Sequence, residues 1–404
     1  MNILHIGTTD NRGGAASVSW KIKNELEKRG EKTSMFVSDK NSDSANVFEI
    51  PRILNRYIYI ILSNDIYFSK TDYIIKTKEF READLVHLHN LHGWYFNLKT
   101  LFKMSKLKSL VWTLHDMWSI TPFCAYSYEG KLKNGFYQCP SLRSYPAILW
   151  HNEKYLMRKK RKIYKNSKFS LVSSSNWLKC EVKNSILKEK DCKVIYNGVD
   201  QNIFKSSLHI NYRKKLDLGE NKKIILFLSD GGKNNPAKGW EFVEGVIDKF
   251  KNREDILFLC VGGAEKGLDD KYKNLLYIPK IYDKKRLASY FSLADIFLFP
   301  TLADNCPQTV LESMSCGTPI VTFKTGGVPE LVKHLRNGYV ADYKNLKDLI
   351  NGVNYILNLS KCDILKISEN SRNDVLDNFT IDKMVDQYIE LYKEKINSFN
   401  KNES

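Results

Sequence analysis

The residues best suited to chemistry lie between positions 299 and 328, where the sequence is FPTLADNCPQTVLESMSCGTPIVTFKTGGV. An apolar run ends ahead of Asp304, a proline at 307 suits the first turn of a helix, and Gly317 is placed to end that helix. Asp304 is then on the loop and Glu312 on the helix, with seven residues between them. A carboxylate accepts hydrogen bonds from two hydroxyls at once, so one acid can hold a ribose diol and the other a sugar. The segment predicts a site for a nucleotide sugar.

The start of the same helix suits the diphosphate of such a ligand. Its first N–H groups have no partner within the helix, and the helix dipole favours negative charge there. The candidate residues are Asn305, Thr309 and Val310. Gly326 and Gly327 follow the next strand, and glycines let a backbone loop approach phosphates closely. An isolated pair of acids would more often be a surface coincidence, but the complete pattern favours a donor site.

The segment from Asp304 to Glu330 resembles the nucleotide-sugar site of the family 4 retaining glycosyltransferases. Members of that family have two acids separated by seven residues, a helix of small residues, a CGTPIV-like strand and a GG-x-PE loop. The resemblance covers nearly the whole chain. It implies that Glu312 holds the nucleotide ribose and that Asp304, where the family usually has Glu, holds the donor sugar. We therefore expect a hexosyltransferase that uses a nucleotide diphosphate sugar, UDP rather than GDP, and no further cofactor.

The family also carries an Arg and a Lys that neutralise the donor diphosphate, on the loop after the first strand of the C-terminal domain. Here that loop has the sequence SDGGKNNPAKGWEFV. Lys238 matches the Lys, no Arg is present, and Lys233 is the candidate substitute. A fixed cation at this place would stabilise the negative charge that develops on the departing nucleotide diphosphate. Outside this pattern, a lone Lys on a loop would be an ordinary solvent-exposed residue.

In the N-terminal half, Gly13 and Gly14 match the family's glycine loop, which meets the phosphates or the acceptor, although a Gly-Gly pair is also common in plain turns. His115, in the segment VWTLHD, matches the family's TxHD segment. The resemblance implies that its carbonyl and imidazole lie near the reacting anomeric carbon; the alternative is a structural His at a strand end. It also implies retention without an enzymic nucleophile. The leaving diphosphate oxygen would take the acceptor proton while the protein supplies orientation and charge.

These residues are positioned by short apolar runs that alternate with amphipathic segments. After the first run, NILHIG, the pattern predicts a helix at about Ala16–Lys28 and strands at Thr33–Val37, Leu85–His89, Leu110–His115, Phe169–Ser173, 224–229, Ile256–Val261, Leu275–Ile278, Ile296–Pro300 and Pro319–Phe323. The predicted fold is α/β, with two Rossmann-like doubly wound domains facing a cleft, the GT-B architecture. Residues 1–200 would form the acceptor-binding domain and residues 201–380 the nucleotide-sugar-binding domain, with a hinge near 198–208. A last helix, at about 381–396, is expected to pack back on the first domain.

The net charge of +17 is concentrated in the first half of the chain, where residues 1–200 contribute +14. Its densest part is Lys154–Lys168, a predicted helix. Such a block attracts the phosphate of an anionic bilayer or of nucleic acid, or is simply a solvated basic helix. Trp94–Lys108, aromatic and basic, could enter the membrane interface or belong to the core. We expect an anionic membrane surface and a lipid diphosphate-linked saccharide acceptor as partners, no nucleic acid, and a role in capsule, O-antigen or exopolysaccharide assembly.

The eight cysteines show no closely spaced framework, and no signal peptide precedes the first strand. The longest apolar run, Tyr57–Leu62, is far shorter than the roughly 20 residues that span a bilayer. The expectation is a cytoplasmic enzyme, peripheral on the inner face of the cell membrane, in a reducing compartment. Cys124 and Cys139 are then expected to be two buried or free thiols.

His87, His89 and His92 form an H-x-H-x-x-H pattern that could in principle hold zinc. His92 falls in a loop, however, with no further ligand close by, and no Asp-x-Asp occurs, so we expect neither a metal site nor metal dependence. Two other functions stay open. A nucleotide-sugar epimerase shares the fold but needs an acid and a base around the sugar. A basic nucleic-acid-binding protein would fit the charge but lacks a recognised module.

Overall fold

The computed structural model describes residues 1–52, 54–127, 132–133, 136–206, 213, 222–229, 235–262 and 272–401. The chain divides into two compact units, one made of Met1–Asn197 with Ile381–Ser404 and the other of Gly198–Thr380. Each unit contains one parallel sheet flanked by helices. This arrangement confirms the predicted α/β class with two parallel-sheet domains. In the described part of the chain, no helix combines the length and the apolar character that crossing a bilayer demands.

The first unit contains a seven-stranded parallel sheet with strand order β3-β2-β1-β4-β5-β8-β9. Its strands are β1 (Asn2–Thr9), β2 (Lys32–Asp39), β3 (Val47–Glu49), β4 (Leu85–Leu88), β5 (Ser109–Leu114), β8 (Ser170–Ser173) and β9 (Cys192–Val194), and a small hairpin joins β6 (Leu132–Lys133) to β7 (Phe136–Tyr137). Both central strands β4 and β5 are buried along their whole length, because helices cover both faces of a parallel sheet.

The helices of this unit follow the strands along the chain. They are α1 (Gly14–Lys28), α2 (Arg56–Ile61), a 3-10 helix (Thr71–Lys76), α3 (Lys78–Glu82), α4 (Leu98–Met104), α5 (Glu153–Asn166) and α6 (Asn176–Lys183). Asn and Ser side chains begin several of them by accepting a hydrogen bond from the first turn, as Asn97 does for α4 and Ser175 for α6. Lys160 departs from the expectation for the basic run, because α5 turns its side chain into the core, where Nζ donates to two backbone carbonyls.

The second unit contains a six-stranded parallel sheet with strand order β12-β11-β10-β13-β14-β15. The strands are β10 (Lys223–Leu228), β11 (Ile256–Val261), β12 (Leu275–Ile278), β13 (Ile296–Phe299), β14 (Ile320–Phe323) and β15 (Gly338–Ala341). The helices are a 3-10 helix (Pro236–Lys238), α7 (Trp240–Phe250), α8 (Lys284–Leu293), α9 (Gln308–Ser315), α10 (Val328–Leu331), α11 (Leu346–Leu357) and α12 (Lys361–Asn378). Gly317, at φ +74°, follows the end of α9 in the left-handed conformation, as the sequence predicted.

The last helix, α13 (Ile381–Lys401), lies on the first sheet beside α1. Met384, Val385 and Leu391 are buried in one apolar cluster with side chains of α1 and of the central strands. Two tyrosines of α13 also make polar contacts in this layer: Tyr388 meets the Thr113 hydroxyl at 2.9 Å, and Tyr392 meets a histidine of β4. The amphipathic helix at the end of the chain therefore packs on the first unit.

The expectation of two thiols at Cys124 and Cys139 is wrong, because the two residues form a disulfide. Their Cα atoms lie 5.6 Å apart, inside the range that a disulfide spans. The chain between them folds back through the β6–β7 hairpin, which brings cysteines 15 residues apart together. The spacing of the two cysteines in the sequence did not indicate that the chain folds back between them.

Candidate functional site

The loops that follow β10, β13 and β14 meet at one edge of the second sheet. These strands are neighbours and parallel, so their carboxyl ends lie side by side, where ligands of such sheets bind. Lys238 Nζ lies 3.2 Å from Asp304 Oδ2, which joins the first loop to the second as an ion pair. The backbone N–H of Leu302 donates to the Ala237 carbonyl at 2.8 Å and holds the same two loops together. Two residues 66 positions apart in sequence thus form one charged pair.

Gly326 and Gly327 bring the third loop against Asp304. Gly326 has φ +52°, and a Cβ built on it would lie 2.0 Å from the Asp304 carbonyl oxygen. The Gly327 N–H donates to that same oxygen at 3.1 Å. From the sequence, we expected these glycines to let the loop approach phosphates closely. In the structure, the packing of one loop on another already requires a glycine at 326.

The start of α9 lies directly after Asp304. Val310 is fully buried, so its side chain belongs to the core and only its N–H, in the first turn of the helix, is suited to an anion. Thr309 is half-buried one position earlier, and Asn305 is buried, with its N–H donating to Asp304 Oδ1 at 3.1 Å. Glu312 is 8% exposed on the same helix. The site therefore combines two acids, a helix N-terminus and one cation, while Lys233 lies outside the described residues.

In the first unit, Gly13 and Gly14 are exposed at the start of α1, where the turn after β1 ends. Gly13 has φ +91° and is the N-cap of α1, a 15-residue helix. A Cβ on either glycine would meet none of the described residues within 4 Å. Among the described residues no side chain caps the start of α1 by a hydrogen bond, so its first N–H groups are suited to a ligand group.

His115 follows β5 and belongs to a buried row of histidines. Its Nε2 lies 3.1 Å from His89 Nδ1, and His89 Nε2 lies 3.2 Å from His5 Nδ1. Burial lowers the pKa of His115 to about 4 and of His5 to about 3, and it lowers the pKa of His89 well below its usual range. All three rings are thus uncharged near neutral pH, and each link requires one donor and one acceptor. The inner face of His115 is therefore occupied by another protein side chain.

The histidines that the sequence grouped together do not form one cluster. His5, and not His92, lies with the other two: ligand atoms of His5, His87 and His89 all lie within 4.8 Å of one another. His87 bonds Thr113 Oγ1 and the Tyr392 hydroxyl, each at 2.7 Å, so hydrogen bonds use both of its nitrogens. His5 is the residue that sequence analysis missed. A polar side chain in the middle of the buried run NILHIG was the available signal.

Comparison with known proteins associates both units with glycosyl transfer. The family model described as Glycosyltransferase Family 4 matches residues 12–202, and the model described as Glycosyl transferases group 1 matches residues 209–374. Among curated proteins, the chain is 23% identical over 368 residues to the Escherichia coli K12 protein WcaC, a glycosyl transferase assigned to colanic acid biosynthesis. That match covers 82% of this chain and 85% of the relative.

Two further similarities concern the substrates of other proteins. The chain is 27% identical over 228 residues to the UDP-Gal:alpha-D-GlcNAc-diphosphoundecaprenol alpha-1,3-galactosyltransferase of Escherichia coli, covering 53% of this chain and 56% of that enzyme. The crystal structure of Anabaena HepE in complex with UDP-glucose matches with a TM-score of 0.68 at 17% identity. The match covers 98% of this chain and 100% of the HepE chain. At this identity the structural match establishes the fold.

Proposed function

The chain belongs to the GT-B glycosyltransferases, with a family 4 domain followed by a group 1 domain, and from that premise we propose which sugar transfer it performs. The reaction moves a hexose from a nucleotide diphosphate sugar to a lipid-linked saccharide, during the synthesis of a surface polysaccharide such as capsule, O-antigen or exopolysaccharide. The relatives in colanic acid and O-antigen biosynthesis support the process.

The contact between Lys238 and Asp304 is the observation that carries this proposal. The pair places a cation beside an acid at the carboxyl edge of the second sheet, next to the N-terminus of α9. The Lys238 ammonium would stabilise the charge on the leaving diphosphate, Asp304 would bind hydroxyls of the donor sugar, and Glu312 would bind the ribose. A UDP-sugar is the proposed donor, and the UDP-glucose complex of HepE supports this choice.

The proposed reaction retains the anomeric configuration and needs no metal. The bond from the anomeric carbon to the diphosphate breaks as the acceptor oxygen attacks the same face, and the leaving diphosphate oxygen takes the acceptor proton. Lys238 supplies positive charge at the diphosphate. His115 contributes orientation near the reacting carbon, as an uncharged ring.

We further propose that the first unit docks on the inner face of an anionic membrane. Two segments form an apolar patch with exposed side chains: Tyr57, Ile58, Ile61, Leu62, Leu149 and Trp150. The Trp150 indole N–H donates to the Ile61 carbonyl at 2.9 Å, which joins the two segments. Helix α5 begins directly after the patch and exposes Lys154, Arg158, Arg161, Lys162 and Lys165. Apolar insertion combined with basic charge is what peripheral binding requires.

A thermal-shift panel of UDP, GDP, ADP and CMP, each with its common sugars, tests the donor site. Ligand at 100 times its Kd adds about 2.7 kcal/mol to the free energy of unfolding. We expect a shift with UDP or its sugars that persists in EDTA and disappears in Glu312→Ala. Glu369→Ala removes an exposed acid of the same unit and is the matched control. A shift that EDTA abolishes would refute metal independence, and no shift with any nucleotide would refute the proposed donor site.

A further inference from the structure

His92 and Asp116 form a pair at the carboxyl ends of β4 and β5, outside the residues predicted from the sequence. His92 Nε2 lies 2.8 Å from Asp116 Oδ2, and the Trp118 N–H donates to Asp116 Oδ1 at 2.9 Å. Burial raises the pKa of the Asp116 carboxyl, but His92 and these hydrogen bonds outweigh burial, and the net pKa lies below the usual range. An ionised carboxylate only accepts hydrogen bonds, so His92 must donate from Nε2.

The other nitrogen of His92 is buried and unpartnered. His92 is 3% exposed, and its Nδ1 contacts no hydrogen-bonding group among the described residues. In the tautomer with a single ring proton on Nε2, Nδ1 carries a lone pair. Ser119 Oγ, 2% exposed, is also unpartnered in the described chain. Buried polar atoms without partners are costly, so their presence indicates a missing ligand or water.

Both residues line one small cavity, which is also lined by His115. Its volume is about 10 Å³, room for about one water-sized group, and its wall includes His92, Ser119 and Asp116. The space thus suits a small group such as a hydroxyl. The cavity lies wholly within the first unit, whereas the donor candidates Lys238 and Asp304 belong to the second.

Aromatic rings stand over the same place. Tyr145 makes edge contacts with His92 and with Trp94, with ring centroids 5.4 and 5.5 Å apart. Tyr145 is half-exposed, and Trp94 Nε1 is a buried donor without a partner in the described residues. Aromatic walls with a few fixed polar groups are typical of small-molecule sites, and a sugar offers both apolar C–H faces and hydroxyls to such a wall.

We propose that this is an acceptor-binding site, in which His92 Nδ1 accepts a hydrogen bond from a hydroxyl of the acceptor saccharide. Asp116 is a positioning residue that keeps the ring in the required tautomer. The inference rests on the proposed glycosyl transfer and deepens it by naming the atom that binds the acceptor. The alternative occupant of the cavity is a water molecule alone.

Two substitutions of His92 separate binding from structure. In His92→Asn, the amide oxygen stands close to the position of Nδ1, and the contact to Asp116 is lost. In His92→Gln, the amide nitrogen stands close to the position of Nε2, so the Asp116 contact is kept while the acceptor atom is lost. If His92 binds the acceptor, the Asn variant retains more acceptor affinity than the Gln variant. A purely structural role for the pair predicts the reverse order.

Asp116→Asn provides an independent test. The Trp118 N–H fixes the amide oxygen at the Oδ1 position, so the amide NH₂ group must face His92. His92 Nε2 then has to accept, its proton moves to Nδ1, and the lone pair is lost. The ¹⁵N spectrum of histidine-labelled full-length protein, with the His92 signal assigned from His92→Asn, should show a bare Nδ1 in the wild type and a protonated Nδ1 in Asp116→Asn. A protonated Nδ1 in the wild type would overturn the proposal.

The functional assay uses octyl α- and β-glycosides of glucose, galactose and N-acetylglucosamine as acceptors. With UDP-sugar saturating, we expect Asp116→Asn and His92→Gln to raise the acceptor KM at least ~10-fold, and His92→Asn to raise it less. The thermal shift with UDP should be unchanged in all three variants. Equal KM values in all variants, or saturable binding of none of the glycosides, would leave water as the occupant and overturn the proposal. Loss of the UDP shift in the wild type would instead refute the donor site, while the ¹⁵N result still decides the role of Asp116.

Discussion

Replacing Gly326 by Ala should damage the donor site far more than the loss of a glycine alone would. Two costs arise. The first is the left-handed backbone at φ +52°, which a residue with a Cβ adopts at about 1 kcal/mol. The second is contact: the new Cβ would lie 2.0 Å from the Asp304 carbonyl oxygen, whereas real Cβ atoms essentially never come closer than 3.0 Å. The neighbouring backbone must therefore move by roughly 1 Å, a shift able to cost 100-fold in rate.

The moved atoms belong to Asp304, so the effect should appear in donor chemistry. The ion pair between Asp304 and Lys238 and the Gly327 N–H bond to the Asp304 carbonyl both depend on that backbone. We expect kcat/KM for the UDP-sugar to fall about 100-fold, which corresponds to about 2.7 kcal/mol of transition-state stabilisation.

Gly30→Ala is the matched control for this experiment. Gly30 also has a positive φ, +83°, but a Cβ there would meet nothing within 4 Å in the part of the chain that the structure describes. It therefore carries the conformational cost without the contact, and its kcat/KM should equal that of the wild type. The opposite result is a Gly326→Ala variant that equals Gly30→Ala in steady-state kinetics and in the UDP thermal shift. The site formed by the loops after β10, β13 and β14 would then not depend on the packing at Gly326, and our reasoning would be refuted.

Three further outcomes are expected. Burial lowers the pKa of His115 to about 4, whereas in the unfolded chain the pKa of this side chain is near 6.5. Between these two pH values the unfolded chain binds more protons than the folded protein. The free energy of unfolding should therefore decrease as pH falls from 6.5 to 4. His115→Gln should remove about 3 kcal/mol of that decrease in urea titrations, and an unchanged slope would contradict it. Ile61→Asp with Trp150→Ala should lower co-sedimentation with phosphatidylglycerol vesicles at least ~10-fold, whereas Leu365→Asp, equally exposed in the other unit, should not. Arg372 donates to three backbone carbonyls of its own unit, so Arg372→Lys, which lacks the planar fork, should destabilise that unit by about 2 kcal/mol; equal urea midpoints would refute this.

The sequence predicted most of the strands but missed three of the four edge strands of the two parallel sheets. Ile256–Val261 and Leu275–Ile278 have the predicted bounds in the structure. The strands Val47–Glu49, Cys192–Val194 and Gly338–Ala341 were missed. All three lie at sheet edges, where pairing on one side with an existing strand makes a short segment extended. Such a segment needs no continuous apolar run of its own.

Contacts between residues that are distant in sequence could not be predicted either. The family pattern named Lys238 and Asp304, but their ion pair became visible only when parallel strands brought two loops together. His92 was grouped with His87 and His89 because it is close in sequence, yet the sheet aligns His5 with them and turns His92 towards Asp116. Partners in this network lie on neighbouring strands or just after them, and they are 24 to 84 residues apart in sequence.

The sequence by itself determined the fold class, the family and the segments that carry chemistry, because periodicity and motif spacing are local properties of a chain. The tertiary structure decided which of those side chains meet. It joined Cys124 to Cys139, buried Lys160 within a basic run, and left His92 Nδ1 without a partner among the described residues. The physical reason is that burial and hydrogen bonding depend on strand order and loop packing, which arise only when the whole core forms.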